Sequence, residues 1–194
     1  MKILYTLFLL TISWFSFAQK SVLPYREMPQ ASESYMAGSV VARFIDGLGF
    51  RFHWATEGLR SIDLEYKPSK DARTIEETIA HIYEMSFLIA NASCKLPNIP
   101  GQDKKLDFAD MRNVILQNFK AAADVLRPMN GKQMEKLKVI FKENGKTQEF
   151  PYWNLINGPI EDCIWHTGQL VSSRRASGNP IAEKIDFFTG NSER

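Results

Sequence analysis

The chain has 194 residues, of which 24 are lysine or arginine and 22 are aspartate or glutamate, so its formal net charge is only +2. The basic residues are spread along the chain and form no patch, which argues against nucleic acid as a partner. Residues 20–194 suit a single domain large enough to bury a hydrophobic core, and no linker rich in glycine, serine or proline divides them.

Residues 1–19 have the pattern of a secretory signal peptide. Lys2 gives a positive start, Ile3 to Phe17 are almost all apolar, and Ser16-Phe17-Ala18 resembles the small-residue pattern that precedes a signal-peptidase cut. The apolar run is shorter than the roughly 20 residues that a stable membrane anchor needs. We therefore expect cleavage after Ala18 or Gln19 and an exported protein, periplasmic or secreted, with no stable membrane anchor.

Apolar residues that recur at steps of three and four predict a first helix from about Ser34 to Leu64. Gly47 and Gly49 lie inside it at a cost in helix stability, and we expect a neighbouring backbone to approach them closely. The apolar stripe consists of Val41, Phe44, Ile45, Leu48, Phe52, Ala55, Leu59 and Ile62.

A capping box formed by Thr74 and Glu77 predicts the start of a second helix. His81 lies at the edge of its apolar face and can point either towards the other helices or towards water. The residues on that face are Ile75, Ile79, Ile82, Ser86 and Ile89.

A third helix is predicted from Asp107 to Leu126 and ends before Pro128. The apolar period then changes to two, and Asn144-Gly145 suits a tight turn, so Met134 to Phe150 is predicted as a small β-hairpin. The buried positions expected in the third helix are Met111, Val114, Ile115, Phe119, Ala122 and Leu126.

A fourth helix is predicted to begin near Pro159, because proline is tolerated in the first turn, and to end at Gly178-Asn179-Pro180. An earlier start, at Trp153, would need a kink at Pro159. In this helix Asp162 and His166 are four residues apart and project from one face, so they can offer an oxygen and a nitrogen to the same ion. His81 from the second helix would complete a three-ligand site with open positions.

Four helices and one hairpin predict an all-α fold, a four-helix bundle with a small β-hairpin between helices three and four. The segment TIEETIAHIYEMS, residues 74–86, resembles the second helix of the DinB-like superfamily, which carries a histidine in that place. The segment DCIWHTGQLVSSRRASGNP, residues 162–180, resembles the fourth helix of the same superfamily, usually written HxxxHxGQ.

The resemblance implies a divalent metal held by His81, Asp162 and His166, with Asp162 in place of the first histidine of the fourth-helix motif. Zinc or nickel is the metal usual in the family. A set of two histidines and one carboxylate also suits manganese or ferrous iron better than three histidines do, so these ions are the alternatives. The family often forms dimers, which implies a homodimer.

Each candidate residue also has a purely structural interpretation. His81 could be a hydrogen-bonded packing residue, and Asp162 could be a carboxylate that favours the start of a helix. His53 could pair with Glu57 and is expected beside the site rather than in it. The pair Arg174-Arg175 is expected to act as cations at the C-terminus of the fourth helix.

The positions of the two cysteines bear on whether His81 and His166 can share a metal ion. Cys94 lies thirteen residues beyond His81, about 20 Å along a helix, whereas Cys163 lies within one turn of His166. A disulfide needs Cα atoms about 6 Å apart, so a Cys94–Cys163 disulfide and a shared metal site exclude each other.

These observations favour an exported divalent-metal-binding protein whose reaction is undefined. One alternative is a metal-dependent hydrolase that acts on an envelope or extracellular substrate, such as a small molecule. Another is a non-catalytic binding or scaffold protein in which His81, Asp162 and His166 form a hydrogen-bond network. A thiol transferase, the activity of some relatives, is disfavoured because low-molecular-weight thiols serve the cytosol.

Overall fold

The computed structural model describes residues 22–101 and 106–192 of the chain. The predicted signal peptide at residues 1–19 lies outside the described residues. The elements in chain order are α1 (Ala37–Thr56), α2 (Ser61–Leu64), α3 (Ile75–Ser93), α4 (Phe108–Leu126), α5 (Gly131–Met134), β1 (Lys138–Glu143), β2 (Lys146–Pro151), α6 (Trp153–Leu155), a π-helical turn (Ile156–Ile160), α7 (Glu161–Ala176), β3 (Ile185–Asp186) and β4 (Asn191–Ser192).

The long helices pack on one another around a shared core. α4 packs against both α1 and α3, and α7 also contacts both of them. α1, α3 and α4 each bury an apolar face, whereas α7 buries a mixture of apolar and polar side chains. The largest side chains with almost no exposure include Phe50, Phe52, Phe119, Ile45, Leu48, Ile79, Ile82 and Ile115. The chain is therefore mostly helical with a small antiparallel hairpin, as the sequence predicts in outline. Within the described ranges, no helix is both long and apolar enough to cross a membrane.

The first helix is shorter than the sequence predicts. α1 ends at Thr56, and the chain then turns at Gly58, whose φ of 69° lies in the region that favours glycine. α2 is a separate short helix, so the prediction of one helix from Ser34 to Leu64 is wrong. Phe44 and Ile62, which the predicted stripe places inside, are 62% and 70% exposed.

A close backbone approach occurs at Gly38 and not at the two glycines where it was expected. A Cβ atom on Gly38 would lie 2.1 Å from the carbonyl oxygen of Leu126. At Gly49 the ring of Tyr25 fills the space, and at Gly47 only the tip of one side chain comes near. The expectation for Gly47 and Gly49 is therefore wrong, and Gly38 is the residue that lets α1 approach the end of α4.

The starts of α3 and α4 follow the sequence prediction. The Thr74 hydroxyl oxygen accepts a hydrogen bond from the Glu77 amide at 2.9 Å, and the Glu77 carboxylate accepts one from the Thr74 amide at 2.7 Å. Asp107 caps α4 by accepting from the Asp110 amide at 2.9 Å. These caps satisfy amides that have no partner inside their own helix, and so they fix where each helix begins.

The hairpin also has the predicted turn. Glu143 pairs with Lys146 across Asn144-Gly145, and both turn residues have positive φ, 49° and 73°. This geometry matches the two-residue turn that asparagine and glycine favour. On the edge of β1 that does not pair with β2, Asn98 forms a short parallel bridge with Phe141, and the Asn98 backbone amide donates to the Ile140 carbonyl at 2.7 Å.

The last helical run begins six residues before the predicted start at Pro159, so that prediction is wrong. It starts at Trp153 and passes Pro159 within the π-helical turn. Proline has no amide proton and its ring collides with the carbonyl of residue i−4 in an α-helix, whereas the wider π-turn removes that conflict. The helical direction therefore continues into α7 where the sequence predicted a kink or a new start.

A group of polar residues around the buried Asp63 and Arg174 fixes the C-terminus of α7. We name it the Asp63 cluster; it comprises Arg60, Asp63, Arg174, Ser177 and Asn179. The Asp63 carboxylate accepts five hydrogen bonds, three from Arg60, one from Ser177 and one from Asn179, at 2.7–2.9 Å. These donors, led by Arg60, hold the pKa of Asp63 well below its usual range.

Arg174 is only 3% exposed and caps another helix, not its own. Its guanidinium donates to the carbonyl oxygens of Trp54, Ala55 and Glu57 at 2.9–3.1 Å, at the C-terminus of α1. Burial lowers the pKa of Arg174 from its ordinary value, although the nearby carboxylates of Asp63 and Glu57 act in the opposite direction. The predicted role of a cation near a helix C-terminus thus applies to α1.

Candidate metal centre

α3 and α7 bring the three predicted ligands together. His81 projects from α3, and Asp162 and His166 project from successive turns of α7, as the spacing of four residues requires. One oxygen of Asp162 lies 3.0 Å from Nε2 of His81, and the other lies 3.4 Å from Nε2 of His166. The two imidazole rings are nearly perpendicular, with centroids 4.8 Å apart.

One candidate ligand atom from each of these residues can be chosen so that all lie within 4.8 Å of one another, a spacing at which they could hold a metal ion. We name the three residues the His-Asp-His cluster. Two imidazole nitrogens and a carboxylate oxygen are donors that divalent transition metals accept in proteins. In the described part of the chain, no other group of three His, Cys, Asp or Glu residues has such a spacing.

The His-Asp-His cluster is open on one side. The side chains of His81 and His166 are 24% and 13% exposed, and that of Asp162 is 41% exposed. The cluster of described residues offers three ligands, so an ion held by these three would keep positions for water or for another molecule.

Gln169 orients one of the imidazoles. Nδ1 of His166 lies 2.8 Å from Oε1 of Gln169, one turn further along α7. With the amide oxygen as acceptor, the ring proton of His166 is assigned to Nδ1, and Nε2 is left with a free lone pair. A metal-binding histidine usually has this arrangement, with the second nitrogen donating to a fixed acceptor.

The donor set of the cluster fits a cation. In its neutral form, His166 directs the lone pair of Nε2 towards an oxygen of Asp162, which is also an acceptor. Two acceptors that face each other at 3.4 Å gain nothing unless a proton or a metal ion lies between them. A carboxylate together with two imidazole nitrogens is a donor set that suits a divalent cation better than a neutral ligand.

Cys163 does not contribute to the cluster, although it follows Asp162 directly. Its side chain is fully buried in the core, and the carbonyl of Cys163 accepts a hydrogen bond from the Thr167 hydroxyl at 2.7 Å. Burial raises the pKa of its thiol well above the usual range, which disfavours the thiolate that binds metals. Cys94 and Cys163 are both free, in agreement with the exclusion of a disulfide.

His53 lies outside the cluster, as predicted. It is 4% exposed, its Nδ1 lies 2.8 Å from the carbonyl oxygen of Pro24, and its Nε2 lies 4.0 Å from the Glu57 carboxylate. Burial lowers the pKa of His53, and the nearby Arg112 lowers it further. His53 therefore ties the segment before α1 to that helix.

The sequence reasoning did not assign a role to Gln169 and missed the Asp63 cluster. The signal for Gln169 was the Gly-Gln pair after His166, at a spacing of three residues that places its side chain beside the imidazole on a helix. The Asp63 cluster has no such signal, because Asp63 and Arg174 are separated by more than a hundred residues and meet only in the folded chain.

Comparison with known proteins shows the fold. No protein-family model and no curated protein match the chain. The chain is similar to the crystal structure of a DinB-like protein from Bacillus subtilis, with a TM-score of 0.54 and 18% identity over 72% of this chain and 92% of the other. A DinB family member protein from Shewanella denitrificans aligns with a TM-score of 0.46 and 13% identity, over 81% of this chain and 91% of the other.

Proposed function

We propose that this chain, which has a DinB-like fold, is an exported protein that binds one divalent metal ion through His81, Asp162 and His166. In this proposal α1, α3, α4 and α7 form the four-helix bundle, residues 20–194 form one domain, and the reaction is undefined. The observation that carries it is the spacing of the candidate ligand atoms, with one Asp162 oxygen 3.0 Å from Nε2 of His81 and the other 3.4 Å from Nε2 of His166.

Zinc or nickel is the first expectation for the ion, with manganese and iron as alternatives. Zinc binds two imidazoles and one carboxylate in open, three-ligand sites. The carboxylate is harder than a third imidazole, so it improves the relative affinity for manganese and ferrous iron. Measured metal content distinguishes these ions.

The experiment is elemental mass spectrometry on residues 20–194 produced without a histidine tag, which contain every described element of the fold. We expect about one equivalent of metal in the wild type and a loss of most of it in His166→Ala. Glu161→Ala is the matched control, because this exposed carboxylate neighbours Asp162 on α7 and is absent from the cluster.

Metal in neither protein after incubation with zinc, nickel and manganese would overturn the proposal. In that case the three residues would form a polar hydrogen-bond network, and the non-catalytic binding or scaffold interpretation would lead. Bound metal must also raise the melting temperature by mass action, by an amount that corresponds to about 2.7 kcal/mol at a hundredfold excess over Kd.

A metal-dependent hydrolase is the second candidate, and the exposure of the cluster favours it. Asp162 is 41% exposed, so a small substrate can reach the ligands from solvent. A divalent ion bound there would supply Lewis-acid polarisation of a carbonyl or phosphoryl oxygen. The chain itself would hold the ion and orient His166 through Gln169. Hydrolysis of a test ester that persists after chelation, or in Asp162→Ala, would argue against this activity.

Export and self-association complete the proposal. The apolar segment at residues 3–17 supports export to the periplasm or beyond, without a stable membrane anchor. A homodimer is the proposed assembly, and nucleic acid is not a proposed partner, since the charge is nearly balanced. N-terminal sequencing of the exported protein and sedimentation of the purified chain test these two points.

A further inference from the structure

A groove of about 690 Å³ runs along the face of α1 that α4 leaves uncovered. Its apolar walls come from α1, from one residue of α7 and from the C-terminal segment. The main apolar residues are Val40, Phe44, Leu48, Ile164, Phe187 and Phe188. The volume falls in the range of small-ligand sites, which are mostly apolar with a few polar groups.

Three of these apolar side chains are unusually accessible. Phe44 is 62% exposed, Ile164 is 37% exposed and Phe188 is 97% exposed. Aromatic and branched side chains that line one concave surface together make a larger patch than isolated exposed residues do, and such patches often mark binding sites. The burial of an apolar ligand body against them would be favourable by roughly 25 cal/mol per Å².

The charged residues that line the groove are all arginines, namely Arg43, Arg51 and Arg127. Arg127 is neutralised by the buried carboxylate of Asp46, 2.8 Å away, and lies 3.6 Å from that of Asp124. The groove therefore has two further guanidinium groups, those of Arg43 and Arg51, which Asp46 does not neutralise.

Arg43 and Arg51 have only backbone or ring partners in the described structure. Arg43 donates to the carbonyl of Pro29 at 2.7 Å, and Arg51 donates to the carbonyl of Gly47 at 3.1 Å and lies over the ring of Phe187. No ion pair joins either guanidinium to a carboxylate in the described ranges. A guanidinium has five donors, so both retain N–H groups for an anion.

Gly47 lies between the two arginines along α1 and contacts one of them. Residues 43, 47 and 51 are spaced by four and so follow one side of α1. Only the Arg51 guanidinium, at 3.3 Å, comes near the place where a Cβ atom of Gly47 would lie. The glycine therefore makes room for the Arg51 guanidinium against α1, on the same side of the helix as Arg43.

We propose that this groove binds a single-chain amphiphile with a carboxylate head, such as a long-chain fatty acid. The carboxylate would lie between Arg43 and Arg51, and the aliphatic chain would cover Phe44, Ile164 and Phe188. A second copy of the chain is a poorer occupant, since a two-fold contact through this groove would bring the arginines of one copy close to those of the other.

The groove and the His-Asp-His cluster lie on different sides of α7. Ile164 lies two residues from both Asp162 and His166, about 200° around α7, so it points away from the His-Asp-His cluster. An occupant of the groove would contact α7 on the opposite side from the metal ligands. Loss of one site should therefore leave the other intact.

The experiment is calorimetric titration of residues 20–194 with dodecanoate below its micelle concentration. We expect saturable binding of one dodecanoate, with acetate and dodecyltrimethylammonium each binding about tenfold more weakly or not at all. Arg43→Gln/Arg51→Gln should weaken dodecanoate binding about tenfold or more. Lys142→Gln/Lys146→Gln, which removes two exposed lysines from the hairpin, is the charge-matched control and should bind as the wild type does.

Two further variants protect the interpretation. Phe44→Asp keeps both arginines and adds a carboxylate to the groove, so it should also lose dodecanoate binding. Circular dichroism shows whether Phe44→Asp and Arg43→Gln/Arg51→Gln are folded. His166→Ala should bind dodecanoate normally even if it binds no metal, which separates this proposal from the metal proposal.

Several results would overturn the groove proposal. The first is equal binding of dodecanoate and dodecyltrimethylammonium. The second is an unchanged affinity for dodecanoate in Arg43→Gln/Arg51→Gln. The third is binding of dodecanoate by aggregated protein only. If dodecanoate does not bind and the wild type sediments as a dimer that Phe44→Asp converts to a monomer, the groove is a self-association surface instead.

Discussion

The Asp63 cluster and the His-Asp-His cluster both join α7 to another helix through a carboxylate, but they differ in how that carboxylate is satisfied. Asp63 is fully buried and accepts five hydrogen bonds from donors of this chain. Asp162 is 41% exposed and faces two imidazole nitrogens, one of which has no proton to donate when Gln169 holds its ring.

The difference separates a structural polar group from a binding group. When every acceptor has a donor within the chain, the cluster gains stability and has no need of a ligand. When acceptors face one another at an open surface, the free energy of the site depends on what comes from solution. The contrast predicts that mutations in the first cluster change folding, whereas mutations in the second change metal binding.

The largest expected change in the free energy of unfolding comes from replacing Arg174. Arg174→Met removes the donor for three carbonyl oxygens at the end of α1, and we expect it to lower the free energy of unfolding by about 3 kcal/mol. Urea unfolding of the metal-free protein measures this. Arg175→Met is the matched control, because the neighbouring side chain is exposed, and it should change stability by less than about 0.5 kcal/mol. Equal effects of the two variants would refute the role of Arg174.

Asp63→Asn is expected to lower the free energy of unfolding by about 2 kcal/mol, since the charged acceptor for Arg60, Ser177 and Asn179 is lost. Metal content should stay at the wild-type value. Urea unfolding with and without zinc checks both points. A variant that folds as well as the wild type but binds no metal would reverse the roles assigned to the two clusters.

Gln169→Leu tests the second cluster with a smaller effect. Without the acceptor, the ring of His166 is no longer fixed, and we expect metal affinity to fall about tenfold, which corresponds to about 1.4 kcal/mol. Gln169→Glu keeps an acceptor oxygen at the same place and should restore most of the affinity. Competition with a chromogenic chelator measures both variants. Identical affinities in wild type and Gln169→Leu would show that Gln169 does not orient the ligand.

The smallest expected effect is a pH dependence that comes from His53. Burial lowers the pKa of His53 in the folded chain, so its contribution to stability is complete above about pH 6.5 and is lost as the pH falls towards the folded-state value. We expect the stability of the metal-free protein to decline from pH 7.5 to 5.5 by less in His53→Gln than in the wild type. Urea midpoints in the presence of a chelator test this, and parallel declines would exclude His53 as the cause.

Local signals in the sequence predicted the elements that depend on local chemistry. Thr74 and Glu77 fixed the start of α3, Asp107 fixed that of α4, and Asn144-Gly145 fixed the hairpin turn. Each of these features is a hydrogen bond or a backbone angle within four residues, so the pattern alone contains the information.

The wrong predictions concern residues whose environment is set by distant parts of the chain. The apolar stripe placed Phe44 inside, but among the described residues no helix covers it, and the residue lines the groove instead. The helix was expected to continue through Gly58, where the chain turns so that the end of α1 meets Arg174. Periodicity identifies a helix but does not show which neighbours will cover each face.

The candidate site was predictable as a set of residues but not as a geometry. The spacing of Asp162 and His166 and the resemblance of the motif identified the three residues. The distances of 3.0 and 3.4 Å around Asp162 required the folded structure, because they depend on how α3 and α7 pack.

The π-helical turn at Ile156–Ile160 has a consequence for changes in chain length. It holds one more residue than an α-helical turn would, so the segment before it and the metal ligands after it are offset by about 100° relative to a regular helix. Deletion of Gly158 would remove this offset and turn Leu155 out of the core while Asp162 and His166 stayed in place, or the reverse. This stretch of the last helix should therefore accept substitutions far more readily than insertions or deletions.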